Sequence, residues 1–470
     1  MERNTNYLSP ISNQANHEVH VTPFSSSVDS QEYYIKSRDT LDFALNETDA
    51  YQSWRAFDPG KGRTIDERYS RMPVLTKKEI QDYFPRGFVP RELDVENGIA
   101  NREIEFVKTS GSTGDSVTNI WNQKWWDNSE RESWRLNAHA ARVATGDHQE
   151  AILANPLNVG FISDNVELSM KERKLSRFLY LNEKTNPLTW TPEHMDRMIG
   201  ELEAFKPVIL EANPSLLAKL SRYITAFKKK VYQPELIVLT YEYPSKLHDA
   251  QIRKAFGTPI ASSYGTTEVG YVFMQCEEGK FHQNSKSCRV DFQPLKPEHG
   301  GPGLARILVT TFDNSWYVIV RFDVGDLVHI DKEQVCSCGR RSGWIISSIE
   351  GRSRNITLTC EGRVVTLHEL DEAISSLHGI DEYQLTQISK KHYNLDLVSQ
   401  RTDKEVLDEE AKLTLSKLYG EEARFTISFK ENISPSSSGK YSLAQTLLNI
   451  NIEDFLDERY VFKDIKPANG

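Results

Sequence analysis

Between residues 151 and 262, apolar and polar positions fall into blocks that predict strand, helix, strand, helix, strand. Ala151-Ile152-Leu153-Ala154, Val208-Ile209-Leu210, Leu236-Ile237-Val238-Leu239 and Pro259-Ile260-Ala261 are short continuous apolar runs, as strands buried on both faces require. After Thr191-Pro192-Glu193, which puts proline in the first turn, Met195, Met198, Leu202 and Phe205 recur at helical spacing. Leu216, Leu217, Leu220, Ile224 and Phe227 do the same after Asn213-Pro214, and a further helix is predicted from about Ser245 to Phe256. Short connections between such blocks imply a parallel sheet covered by helices. Ligands of these sheets bind beyond the carboxyl ends of the strands. Ser262-Ser263-Tyr264-Gly265-Thr266-Thr267-Glu268, directly after the last run, is therefore the first place to expect chemistry.

The flanks read differently. Residues 1 to about 30 are rich in Ser, Asn and Gln and predict a loose arm. Thr76 with Glu79 is a capping box opening a helix at Lys77. Trp121, Trp125, Trp126 and Trp134 cluster at near-helical spacing and read as core packing, because basic residues do not interleave them as a base-stacking platform needs. After Gly270, Ala305–Thr311 and Tyr317–Phe322 predict antiparallel strands around a turn at Asp313-Asn314. Gly351-Arg352-Ser353-Arg354-Asn355 reads as a linker. Beyond it lies an α+β pattern: a capping box at Thr366 and Glu369, strands near 383–388 and 393–398, a helix near 403–418 and a strand at 424–429. The loop Ser434-Pro435-Ser436-Ser437-Ser438-Gly439-Lys440 follows. The fold class expected is α/β: a large domain over 1–350, with helix-covered, mostly parallel sheets and a small barrel-like part, then a small α+β domain over 351–470.

The length of 470 residues suits about three domains, or one large and one small. A net charge of −10 argues against generic nucleic-acid binding, while leaving room for an anionic ligand held by a few local cations. No run approaches the roughly 18 apolar residues of a membrane span, and the start carries no signal-peptide core. Five cysteines do not make a disulfide scaffold, so a reducing cytoplasm is expected.

Two clusters carry candidate chemistry. Thr109-Ser110-Gly111-Ser112-Thr113-Gly114 has two glycines that accept positive φ and four hydroxyls, the make-up of a loop that wraps a polyphosphate. It is not the lysine-bearing NTPase loop, because Asp115 stands where the lysine would be. Cys276, His282, Cys336 and Cys338 supply three thiolates and an imidazole, a donor set suited to structural tetrahedral zinc. A single residue separates Cys336 from Cys338, tighter than the usual two to four. Cys288 and Cys360 look unrelated.

In order along the chain, residues 109–114, Tyr264-Gly265-Thr266-Thr267-Glu268, Gly325-Asp326, Gly351-Arg352 and Pro435 through Gly439-Lys440 resemble the adenylate-forming superfamily of acyl-CoA synthetases, peptide-synthetase adenylation domains and luciferases. Arg321-Phe322-Asp323-Val324-Gly325-Asp326 and Cys336-Ser337-Cys338-Gly339-Arg340 look most like its phenylacetate–coenzyme A ligase branch. The resemblance implies a C-terminal lid that rotates between two half-reactions, with ATP, Mg²⁺, and coenzyme A or a carrier-protein phosphopantetheine. The substrate implied is an aryl or small organic acid; a homodimer is left open.

The resemblance also implies roles. Residues 109–114 would hold the β- and γ-phosphates, Thr267 would touch the α-phosphate and Glu268 would bind Mg²⁺. Ser263, Tyr264, Gly265 and Thr266 would line the nucleotide and acyl site, Asp326 would take both ribose hydroxyls, and Arg352 would reach ribose or phosphate. Lys440 would bridge the attacking carboxylate and the α-phosphate. Departures are Asp115-Ser116-Val117 after the first loop, Arg354 at the hinge, and Thr240-Tyr241-Glu242, with a tyrosine where glycine is usual. Two alternatives stand beside the thioester reading: an amine acceptor giving an amide, and a silent nucleotide-binding scaffold.

Overall fold

A computed structural model describes residues 31–109, 117–436 and 438–460. The N-terminal arm lies outside the described residues, and so do Ser110 through Ser116 and Ser437. A 12-stranded mixed sheet runs through the large part. Phe178–Tyr180, Glu150–Leu153, Ile209–Ala212, Leu236–Leu239 and Ile260–Thr266 lie side by side and parallel. Gly270–Gln275 pairs antiparallel with the last of these, and Phe281–Gln283, Ile345–Arg352, Phe322–Ile330, Leu304–Thr311 and Cys288–Pro294 extend the sheet antiparallel from there. The antiparallel part, expected as a small barrel-like unit, is thus continuous with the parallel strands.

Side-chain alternation sorts the two faces of the parallel half. Ala151, Leu153, Leu210, Ala212, Ile237 and Leu239 pack against helices Pro192–Phe205 and Pro214–Ala226 and against Ile252 of Lys246–Ala255. Ile209, Leu236, Val238 and Ala261 face the other way and pack with Trp134, at the end of helix Gln123–Trp134. Thr191 and Ser245 cap their helices through their hydroxyls, as Thr76 and Thr366 do in full capping boxes. Trp125 and Trp134 are buried, while Trp126 stacks between Trp121 and Tyr271 at 4.2 and 5.0 Å between ring centres. The tryptophans pack the helix onto strand Gly270–Gln275.

One strand is not where the pattern puts it. Tyr317–Val320 forms no ladder, and the strand begins only at Phe322. The segment is buried and apolar, but its backbone is satisfied otherwise. Val318 N–H donates to Phe88 O at 3.0 Å, Val320 N–H to the Tyr51 hydroxyl at 2.9 Å, and Arg321 N–H to Thr310 Oγ1 at 2.9 Å. A short continuous apolar run can therefore mark a buried crossing as well as a strand.

The C-terminal part is a four-stranded sheet in the order Arg424–Phe429, His392–Ser399, Ile380–Ser389, Ala444–Thr446. Helices Leu367–Ser375 and Lys404–Tyr419 bury Leu370, Ile374, Leu407 and Leu415 against it. Gly351 and Arg352, read as linker, are the last residues of strand Ile345–Arg352, and the chain leaves the large sheet through the turn Ser353–Asn355. The small part docks on the large one: Gln251 Nε2 donates to Asp381 O at 2.8 Å, Lys246 N–H to Asp371 Oδ2 at 2.6 Å, and Arg222 pairs with Glu382. The chain then returns to the large part. Lys296 N–H donates to Phe455 O and Asp457 N–H to Pro294 O, both at 2.9 Å, and Leu456 is buried with Leu295, Leu304 and Leu327. Described helices include none long and apolar enough to cross a membrane.

Candidate functional site

The site is built where the last parallel strand ends. At Gly265 an added Cβ would lie 2.3 Å from Gly270 O, so the strand can fold back only with glycine there. The turn this permits carries Thr267 and Glu268, and Glu268 is buried. One step back, the Tyr264 hydroxyl donates to Asp326 Oδ2 at 2.7 Å. Asp326 sits opposite Arg352 in the ladder of the neighbouring strands, and Arg352 Nε is 3.4 Å from Asp326 Oδ1. Arg352 Nη1 also donates to Val324 O at 2.8 Å. Gly325, at φ +80, makes the bend that aims Asp326 inward, and Asp323 Oδ1 accepts its N–H at 2.8 Å. Burial and the Asp326 carboxylate push the Tyr264 phenol well above its usual range, and Asp326 raises the Arg352 guanidinium.

Lys440 reaches this place from the small part. Gly439 precedes it at φ +76, and Gly439 O accepts from Asn155 Nδ2 at 3.4 Å. Tyr441 N–H donates to Glu242 Oε1 at 2.9 Å, and the other Glu242 oxygen accepts from the Ser215 hydroxyl. Burial, then Arg352, push the Lys440 ammonium below the usual lysine range, while Glu242, Asp326 and Glu268 act in the opposite direction. Glu268, Asp326, Arg352 and Lys440 thus share one electrostatic neighbourhood, although more than 170 residues separate the first from the last.

Nothing in the sequence singles out Lys77 or Asn155 for the site. Lys77 opens its helix beside a cavity of about 170 Å³ lined also by Asp323, Gly325, Arg352 and Arg354. Burial lowers its ammonium, with Glu268 and Asp326 opposing. No local pattern marks these residues; each acts across the fold.

The hydroxyls of Ser263 and Thr266 are buried without partners among the described residues. Of the glycine-broken loop, Thr109 is described and Ser110, Gly111, Ser112, Thr113 and Gly114 are not. Its stem is the hairpin of Glu105–Lys108 and Thr118–Trp121, closed by Thr109 N–H to Val117 O at 2.8 Å and Val117 N–H to Thr109 Oγ1 at 3.0 Å.

Cys276, His282, Cys336 and Cys338 converge at the far end of the sheet, with all four ligand atoms within 4.8 Å of one another. The Sγ atoms of Cys276 and Cys336 are 3.7 Å apart, and Cys338 Sγ is 3.3 Å from His282 Nε2. A tetrahedron with Zn–S bonds of about 2.3 Å has S–S edges of about 3.8 Å. The donor set and its spacing fit zinc, and the buried His282 Nδ1 has no partner among the described residues. Cys288 and Cys360 stand apart, free and buried.

No family profile matches the chain, and no curated protein matches it. Solved structures do match. A 2-hydroxyisobutyryl-CoA ligase in the postadenylation state with R3-HIB-AMP is similar at TM-score 0.66 and 14% identity, over 95% of this chain and 94% of that one. Its complex with 2-HIB-AMP in that state gives 0.65 at 15% identity over the same shares. The same ligase with 2-HIB-AMP and CoA in the thioesterification state gives 0.53 at 15% identity, over 95% of each chain. Over 95% of its length the chain has the fold of these acyl-CoA ligase structures. At this identity the likeness establishes the fold alone.

Proposed function

We propose that this protein activates a carboxylic acid with ATP to an acyl-adenylate and passes the acyl group to a thiol. In the first step a carboxylate oxygen attacks the α-phosphorus and pyrophosphate leaves. In the second a thiolate attacks the acyl carbon and AMP leaves. Such phosphoryl chemistry needs positioning and charge stabilisation above all. The observation that carries the reading is the docking of the Lys440 loop on Asn155 and Glu242, which puts Lys440 in the electrostatic neighbourhood of Glu268, Asp326 and Arg352.

Each residue type suits its role. Asp326 offers two carboxylate oxygens to the two ribose hydroxyls and is oriented by Tyr264 and Arg352. Glu268 is the hard oxygen ligand for Mg²⁺, with Thr267 beside the α-phosphate. Lys440, docked through Glu242 and Asn155, neutralises charge as the carboxylate meets the phosphate. Residues 109–114 hold the outer phosphates on the stem described above. The small part, which begins after strand Ile345–Arg352, is the mobile lid, and its docking through Lys440 is the adenylating arrangement. The higher TM-scores to the postadenylation structures than to the thioesterification one accord with that.

The acid is aryl or small, the acceptor is coenzyme A or a carrier phosphopantetheine, and the setting is the cytoplasm, in keeping with five free cysteines. Cys276, His282, Cys336 and Cys338 would hold a structural zinc, which would tie strands Gly270–Gln275 and Phe281–Gln283 to the loop before Ile345–Arg352. Exchange of labelled pyrophosphate into ATP, measured across a broad panel of acids, tests the first step. Acid-dependent exchange is expected, and none with any acid would overturn the reading. Product analysis with coenzyme A against amines then separates thioester from amide.

A further inference from the structure

The sheet face beneath helix Gln123–Trp134 holds a set of acids that the chemistry above does not use. Glu150 and Glu211 alternate with residues packed on the opposite face and so point at this helix, and Glu130 comes down from the helix itself. Glu150 is 1% exposed and Glu211 5%, while the Glu130 side chain keeps 15% exposure. Glu150 Oε2 lies 3.0 Å from His148 Nε2, Glu130 Oε1 accepts from the Tyr271 hydroxyl at 2.8 Å, and Glu211 accepts from the Tyr241 hydroxyl. Against these acids stands Arg177, 3.9 Å from Glu130 Oε2 and 3.4 Å from His148 Nδ1. His148 adds no charge, because burial pushes it down to about 4. Three acids stand against one guanidinium, and burial pushes all three carboxyls above their usual range, so a cation arriving among them would find acceptors and hold them in the charged form.

The set adjoins the site. Tyr241 precedes Glu242, which docks the Lys440 loop, and Tyr271 lies opposite Gly265 in the ladder. Ser263 faces the same way, since its cross-strand partner Met274 packs with Trp134, Ile209 and Val238. Ser263 is 7% exposed, and its hydroxyl has no partner among the described residues. Tyr241 holds φ +72, a strained backbone for a tyrosine, with its hydroxyl on Glu211. No three of these acids and His148 bring ligand atoms within 4.8 Å of one another, as the cysteine cluster does.

We propose that this set of buried polar groups selects a carboxylic acid bearing a cationic nitrogen, an ammonium or guanidinium, received by Glu211, Glu150 and Ser263. The acid's carboxylate lies at Lys440, and its body passes Glu242 and Tyr241 to bring the cation under the helix. An ammonium brings three donors and a charge, and hydrogen bonds between charged partners are the strong ones. The inference rests on the ligase reading.

The test uses matched acids in pyrophosphate exchange: ω-amino acids against straight-chain acids of equal length, and basic amino acids against their deaminated analogues. The cationic member of each pair is expected to win in kcat/KM by at least about tenfold, the usual value of a satisfied buried polar contact. Glu211→Gln is expected to shrink that ratio about tenfold. Should Glu211→Gln fold poorly, calorimetry on the parent enzyme with a cationic and a neutral acyl-sulfamoyladenosine gives the same comparison without turnover. Preference for the neutral acids, or an unchanged ratio in a folded Glu211→Gln, overturns this proposal and leaves the ligase reading standing. No exchange and no binding with any acid removes the ligase reading, and this inference with it.

Discussion

Replacing Gly439 by alanine should uncouple the two half-reactions. Gly439 holds φ +76, where a Cβ costs about 1–2 kcal/mol. That Cβ would also stand 2.3 Å from Asn155 Cγ, against the roughly 3.5–4.0 Å of a carbon contact. Asn155 cannot step aside cheaply: Oδ1 accepts the Leu157 N–H at 3.0 Å and Nδ2 donates to Thr185 O at 2.8 Å. Losing those bonds adds about 1–2 kcal/mol, so docking of the Lys440 loop weakens by about 3 kcal/mol in all, on the order of a hundredfold. Adenylation, read as acid-dependent pyrophosphate exchange, should fall on that order. Thioester formation from supplied acyl-adenylate, which does not use this docking, should fall far less. Asn155→Ala removes the clashing atoms, so Gly439→Ala in that background should cost only the backbone strain, about tenfold. If Gly439→Ala exchanges pyrophosphate within twofold of the parent, the docked loop is not the adenylating arrangement and the argument fails.

Further outcomes follow from the same geometry. Lys440→Ala should lower adenylation by about 10²–10³ and leave ATP affinity, measured by calorimetry, nearly unchanged; equal losses in both would remove the role given to Lys440. Because burial and Arg352 lower the Lys440 pKa and the charged form is the active one, adenylation should decline as pH rises, with a basic limb below the ordinary lysine range; a flat rate up to that range refutes it. Elemental analysis should find near-stoichiometric zinc, and Cys336→Ser should lose it and lower the melting temperature; metal-free protein of unchanged stability argues against the site. Tyr264→Phe removes the hydrogen bond that orients Asp326, and should raise KM for ATP several-fold with a smaller effect on kcat; no change in KM separates Tyr264 from the nucleotide.

Much of the parallel half is legible in the chain, because strands buried on both faces and helices with one apolar stripe leave distinct periods. Thr191, Ser245 and Thr366 even mark helix starts to the residue. What the period cannot show is a backbone satisfied from afar, which is why Tyr317–Val320 reads as a strand and is a crossing held by Tyr51 and Phe88. In the site, the motifs point to Glu268, Asp326 and Lys440, but Glu242 and Asn155 are tied to the Lys440 loop across 199 and 284 residues. Glu150 and Glu211 are visible as single acids at apolar strands, yet that they face the same helix follows only from register.

The return of residues 450–457 to the large sheet makes the small part a link moored at both of its ends. One mooring is the turn after Arg352; the other is Leu456 beneath Leu295, with Glu453 on Arg306. Such a link swings about the line joining its two fastenings, like a handle on a pail, and its arc is set by the slack in 447–450. Trimming the chain before 450 would turn the handle into a flail, free to sweep directions the intact protein never visits.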